Sequence, residues 1–167
     1  MVNNCTQGVL RNGSPIACEN AYSAIKNINE AIKHFSHVVL INDSHRVDDK
    51  QFNYLPDHML TGGQDQLSAL ETTLSARPVI RLLKTTLNSF AHPVLSLVQS
   101  DLYVVVGFTC SLDILPSCLG LIDRGKNVCT IEDCIGDINQ ELKSLSLQYL
   151  TFLGVKIHKT LQDLLPS

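Results

Sequence analysis

Several features that would tie this sequence to a particular partner are missing, and each absence narrows the reading. No segment accumulates lysine and arginine: 13 basic residues against 16 acidic ones leave a net charge of −3. That excludes the electrostatic footprint of a nucleic-acid binder. No apolar run approaches the roughly 20 residues needed to cross a bilayer. The opening stretch, MVNNCTQGVLRNGSP, lacks the charged-then-apolar pattern of a secretion signal, which predicts a cytoplasmic protein. The cysteines (Cys5, Cys18, Cys110, Cys118, Cys129 and Cys134) include no Cys-x-x-Cys pair, so neither a disulfide framework nor a zinc ribbon is expected. Their default role is that of small buried apolar residues. There is no internal repeat, low-complexity tract or linker.

With 44% apolar and 17% charged residues over 167 positions, the chain is expected to form a single globular domain, 1–167, with a real core. NAYSAIKNINEAIKHF has helical apolar spacing and predicts a helix over about 19–36. HVVLIND is an unbroken apolar run, the mark of a strand covered on both faces. Residues 43–63 read as a long polar loop, and QDQLSALETTLS as a weak helix. PVIRLL reads as a second strand and NSFAHPVLSLVQS as a helix delayed or bent by Pro93. LYVVVGF is the clearest strand. It leads into a helix, LDILPSCLGLIDRG, that tolerates Pro116 in its first turn and closes at Gly125. NVCTIED is a strand, INQELKSLSLQYLTFLG an amphipathic helix ending at Gly154, VKIHK a last short strand, and TLQDLLP a terminal turn.

Alternating strands and helices, with strands that are continuous apolar runs, predict a parallel sheet covered on both faces. Ligands of such sheets bind beyond the carboxyl ends of the strands. Asp43, Ser44 and His45 follow one strand, Lys84 the next, Thr109, Cys110 and Ser111 the third, and Asp133 the fourth. These positions are expected to converge on one rim.

The order and spacing of INDSH, YLPDHMLTGG, LLKTTLNSF, VVVGFTCSLD and RGKNVCTIEDC resemble the isochorismatase-like cysteine hydrolases, the superfamily that includes nicotinamidases. The resemblance runs from Met1 to about His158. It implies a three-layer α/β/α, Rossmann-like fold and hydrolysis of a small amide by a cysteine, an aspartate and a lysine. It also implies a tendency to form homo-oligomers. The reactive form of such a cysteine is the thiolate, seated at a helix start where backbone N–H groups stabilise an oxyanion.

Transferred residue by residue, the pattern places Lys84 on the family's lysine and Phe90 on the aromatic that follows it. Thr109 falls beside the substrate. In the family the nucleophile comes six residues after the strand's glycine and twelve before the helix's closing glycine. Counting from Gly107 and back from Gly125 both reach Asp113, not a cysteine. Cys110, three residues earlier, is a catalytic candidate only with a remodelled turn, and its bland alternative is a structural thiol. The family's first strand ends in the triad aspartate; here MVNN matches the text just after it, so the first central strand is expected to be missing. Asp43, His45 and His58 match a divalent-metal site that would take zinc, or manganese or iron. Read alone, without the resemblance, they are a polar loop with surface histidines. Two functions stay open: nicotinamidase-type hydrolysis of a small amide, or a catalytically inactive member acting as a small-molecule-binding or oligomeric structural protein.

Overall fold

The computed structural model describes residues 1–70 and 78–166. Its strands are β1 (Val2–Asn3), β2 (Val38–Asp43), β3 (Val79–Lys84), β4 (Tyr103–Val104), β5 (Val106–Gly107), β6 (Val128–Ile131) and β7 (Lys156–His158). Every pairing between them is parallel. One group runs β3-β2-β1-β5 and the other β4-β6-β7. They join through Val105, whose N–H donates to the Cys129 carbonyl while its own carbonyl accepts from Thr130 Oγ1. The segment from Tyr103 to Gly107 thus serves as one strand that passes its pairing from β6 to β1.

The unbroken apolar runs are explained by burial on both faces. In β2, Val38 and Leu40 pack with helix α1 (Ala21–Ala31), while Val39 and Ile41 face the cluster formed with α2 (Leu115–Ile122) and α3 (Gln140–Phe152). A strand's period of two sends alternate side chains to opposite layers, so a doubly covered strand has no polar face. Helix α1 buries Ala21, Ala24, Ile25, Ile28 and Ala31, the stripe its sequence spacing predicts. Asn139 caps α3 by accepting from the N–H groups of Glu141 and Leu142.

The first central strand, expected to be missing, is present as a two-residue stub. Val2 pairs with Leu40 on one side and Val106 on the other. The terminal ammonium of Met1 donates to the Val104 carbonyl at 2.7 Å, and burial pushes its pKa down to about 6. Beside Met1, between Val38–Val39 and Tyr103–Val104, lies a cavity of about 140 Å³.

Two helix expectations are corrected. Residues 88–100 form two separate 3₁₀ turns, Ser89–Ala91 and Pro93–Ser96, each capped by its own side chain, Asn88 and then His92. Pro93 has no N–H to carry one turn into the next. Over 64–70, the described part of the expected 64–75 helix, there is one turn at Gln64–Gln66, and Leu67 and Ala69 bond to Gln7 and Cys5 of the N-terminal segment; residues 71–75 of that expectation lie outside the described residues. The helix after the third strand begins with a wide turn, Cys110–Ile114, before α2 proper.

Gly107 is where this sheet tolerates no side chain. Its φ is +119°, and a Cβ would lie 2.0 Å from the Asn3 carbonyl oxygen. Gly107→Ala is expected to cost at least about 3 kcal/mol in chemical denaturation. Gly125→Ala, with φ +65° and open space around it, should cost only about 1 kcal/mol.

Candidate functional site

Parallel pairing brings the carboxyl ends of β1, β2, β3 and β5 to one rim. Asp43 and Lys84 are register partners at the ends of β2 and β3. Lys84 is buried, and its ammonium has three acceptors: Asp43 Oδ1, Asp113 Oδ1 at 2.6 Å and the Thr86 carbonyl at 2.9 Å. All three N–H donors of the lysine are therefore used.

Each carboxylate is held from its other side. Asp43 Oδ2 accepts from Asn4 Nδ2 at 2.8 Å, and the Asp43 N–H donates back to Asn4 Oδ1 at 2.7 Å. Asp113 Oδ2 accepts from the Thr109 N–H at 2.9 Å. Asn4, just past β1 with φ +46°, is the site residue that sequence reading missed. The strand-end rule would have found it had the two residues before it been recognised as a strand.

The cluster sets two carboxylates against one ammonium. Burial pushes the Asp113 carboxyl up to about 6; Lys84 pulls it down, and Asp43 adds to the rise. Burial also opposes the charge on Lys84, but the two carboxylates outweigh it and the net shift is upward. One ammonium cannot neutralise two buried carboxylates, so the second holds its proton more readily.

The turn that carries Asp113 has its backbone donors occupied. The Cys110 N–H bonds to the Gly136 carbonyl, Ser111 to Asp137 Oδ2 at 2.7 Å, and Leu112 to Thr109 Oγ1; Asp113 and Ile114 bond to the Thr109 carbonyl. A cavity of about 10 Å³, the volume of a single water position, is lined by Asn4, Asp43, His58, Phe108, Thr109 and Asp113, among others.

Not every expected residue joins this rim. Cys110 is buried in the cluster with α2 and α3, its thiol 4.0 Å from the Lys143 carbonyl, and burial pushes its pKa up to about 12. Burial likewise pushes Cys5, Cys18 and Cys118 up to about 12, and raises Cys129 and Cys134. Phe90 packs edge-on against Tyr103 with the Arg124 guanidinium 5.2 Å above its ring, in the core rather than along the cavity.

The other half of the rim is a donor set. Asp43, His45 and His58 are buried and offer ligand atoms within 4.8 Å of one another. His45 Nδ1 lies 2.9 Å from Asp49 Oδ2, while its buried Nε2 has no hydrogen-bond partner among the described residues. His58 Nδ1 bonds to the Pro56 carbonyl at 2.6 Å, which leaves its Nε2 as the acceptor. An orphaned buried imidazole nitrogen, backed by a carboxylate on the far nitrogen, is how metal-ligating histidines are oriented. The residues present fit a divalent cation.

A doubly wound parallel sheet with a lysine–carboxylate cluster and an Asp-His-His donor set at its carboxyl rim defines an enzyme-type α/β scaffold. The isochorismatase domain model matches residues 2–160, and the chain belongs to that family. Among solved structures, the nicotinamidase/pyrazinamidase of Bacillus subtilis is similar at TM-score 0.82 and 18% identity, covering 95% of this chain and 97% of that one. A protein of L. infantum in complex with nicotinate gives 0.79 and 17%, covering 95% and 90%. The pyrazinamidase of Pyrococcus horikoshii in complex with zinc gives 0.77 and 15%, covering 93% and 95%. These likenesses show the fold. No curated protein matches the sequence at a significant level. Among the described residues no helix is long and apolar enough to cross a membrane.

Two measurements test this electrostatic picture. The pKa of Asp113 in the folded protein, about 6, lies above its ordinary value of 3.8. Its contribution to stability is therefore fully present below 3.8 and lost as pH rises through about 6. Relative to Asp113→Asn, the wild type is expected to gain stability as pH falls across that window, read by urea denaturation. An unchanged difference between the two proteins would contradict the burial of an ionisable Asp113. In the second, all six native cysteines should react slowly with iodoacetamide in the folded state. Asp113→Cys should add one fast-reacting thiol, because the Lys84 ammonium favours the thiolate.

Proposed function

We propose that this member of the isochorismatase family keeps a nicotinamidase-type binding site for a small aromatic amide, or its acid, and has lost hydrolysis through a thiol. The observation that carries this reading is the carboxylate of Asp113 on Lys84, where the family pattern calls for a cysteine. A carboxylate is charged without activation, but it is a weak nucleophile, and its attack on an amide would have to form an anhydride. Occupied N–H groups in the same turn leave no ready donors for an oxyanion.

In this reading Asp43, His45 and His58 hold a divalent metal, with zinc the first candidate, as in the zinc complex of the similar pyrazinamidase. When bound there, the cation supplies a positive centre that anchors a nitrogen or oxygen of the ligand. Asp49 fixes the ring of His45, and Pro56 that of His58. Asn4 holds Asp43 in place, and Thr109 and Phe108 form the wall against which a planar ring would lie. The 10 Å³ cavity requires Leu55 or Leu87 to move aside for a ligand of that size.

A second reading, retained hydrolysis, is favoured by one observation: the pKa of Asp113, near 6, suits a general base for an attacking water. The two readings separate in one experiment. Zinc-loaded protein is incubated with nicotinamide near neutral pH and ammonia is measured, while nicotinate binding is followed by calorimetry. Binding without ammonia, lost in His45→Ala, is the expected result. Ammonia release abolished by Asp113→Asn would establish the second reading in place of the first, and failure to bind zinc or nicotinate would overturn the site itself.

A further inference from the structure

The three residues of the donor set come from two separate stretches of chain. Asp43 and His45 leave the end of β2, and His58 lies at the far end of the loop that follows. Backbone joins the two stretches. The His45 N–H donates to the Met59 carbonyl at 3.0 Å, and the Thr61 N–H to the His45 carbonyl at 2.9 Å, which makes a single parallel bridge between His45 and Leu60. Met59, next to His58, is wholly buried and has φ +48°, a conformation uncommon outside glycine that its surroundings must hold in place.

One side chain braces this arrangement from outside it. Gln66 is half-buried in the turn Gln64–Gln66. Its Nε2 donates to the Asp43 carbonyl and to the Met59 carbonyl, each at 3.1 Å, and its Oε1 accepts from the Gly62 N–H at 2.9 Å. Both donors of the amide are therefore used. One planar group fixes the backbone of Asp43, of the residue beside His58, and of the turn that follows.

The bond to Asp43 continues the sheet where β1 stops. The Asn4 N–H donates to the Ile41 carbonyl at 2.8 Å, and Asn4 then leaves the strand with φ +46°. The next rung, at Asp43, is made by side chains. Asn4 Oδ1 accepts from the Asp43 N–H, and Gln66 Nε2 donates to the Asp43 carbonyl. Gln66 is itself anchored on the far side: the Gln7 N–H donates to the Leu67 carbonyl at 2.7 Å, and the Ala69 N–H to the Cys5 carbonyl at 3.0 Å.

We infer that Gln66 is a positioning residue of the cation site. It offers no ligand atom, yet it sets the separation and aim of Asp43 and His58 on either side of His45. The inference rests on the reading that Asp43, His45 and His58 hold a divalent metal. Asp49 and Pro56 orient single imidazole rings; Gln66 instead holds the backbone from which the ligands extend. Removing partners one bond away from the ligands typically weakens metal binding by about 10- to 100-fold.

Zinc binding to the intact, metal-free chain tests this, by competition with a chromophoric chelator, with cobalt(II) as a second, spectroscopic probe. Gln66→Met is close in shape but cannot make the three bonds. It should weaken zinc binding by at least about 10-fold and shift the visible absorption bands of bound cobalt, which report coordination geometry. Gln66→Asn keeps the amide one methylene short of its carbonyls; it should do the same, and it serves if the Met variant does not fold. Gln64→Met, exposed in the same turn and without a side-chain hydrogen bond among the described residues, should leave both measurements unchanged. A wild type that binds neither metal would overturn the reading of the site beneath this inference. A wild type that binds zinc, with both Gln66 variants binding it as tightly, would overturn the role of Gln66 alone. So would unchanged cobalt bands, because a loop that is merely less stable weakens binding without altering the ligand geometry.

Discussion

One ammonium group between two buried carboxylates organises the carboxyl rim of this protein's sheet. Lys84 ends β3, Asp43 ends β2, and Asp113 sits on the turn after β5. Asn4, just past β1, completes the set by gripping Asp43 in both directions. Four neighbouring strands are thus tied together at their carboxyl ends by charge and hydrogen bonds, where apolar packing gives way to solvent. A buried ion pair is weak as a source of net stability, because desolvation offsets most of the attraction. Breaking it is another matter, since an uncompensated charge is then left inside. The cluster therefore acts less as glue than as a constraint: any exchange of one member must be matched by the others.

That constraint bears on the chemistry. A lysine beside a thiol lowers the thiol's pKa and yields a nucleophile that is charged only when needed. A lysine beside a carboxylate yields a closed ion pair. The same three N–H donors that could promote a thiolate are here spent on Asp43, Asp113 and the Thr86 carbonyl. The cysteines do not compensate, because each is buried in apolar surroundings that disfavour the thiolate. Cys110 shows how local this is. It lies only three positions from Asp113 on the same wide turn, yet its side chain points into the layer with α3 rather than toward Lys84.

Much of this was legible in the sequence because it follows from period and position. Unbroken strands such as VVLIND announce burial on both faces, and the strand-end rule alone gathers Asp43, His45 and Lys84 at one rim. The resemblance to the family, carried over by its counts from Gly107 and back from Gly125, points to Asp113 without any structure. What was not legible rests on contacts too distant or too short to leave a pattern. A two-residue strand has no periodicity, so β1 read as absent and Asn4 was not picked out. The 88–100 segment has helical composition, but side-chain caps at Asn88 and His92 and the missing N–H of Pro93 break it into turns. Phe90 matched a family position by spacing, while its ring is claimed by Tyr103 and Arg124 from the core side.

Asp43 belongs to both halves of the rim, and this ties the ion cluster to the donor set. Its two oxygens take one hydrogen bond each from Lys84 and Asn4, and a carboxylate has lone pairs to spare beyond those. With both aspartates ionised, the cluster carries one negative charge more than Lys84 can balance. Burial is the main cause of the raised pKa of Asp113, and the Asp43 charge adds to the rise. A cation on Asp43, His45 and His58 would remove the surplus at the source, since a positive charge beside Asp43 favours ionisation of Asp113 as well. Occupancy of the donor set and the protonation of Asp113 are therefore two ways of meeting one electrostatic debt, and a change at either must be felt at the other.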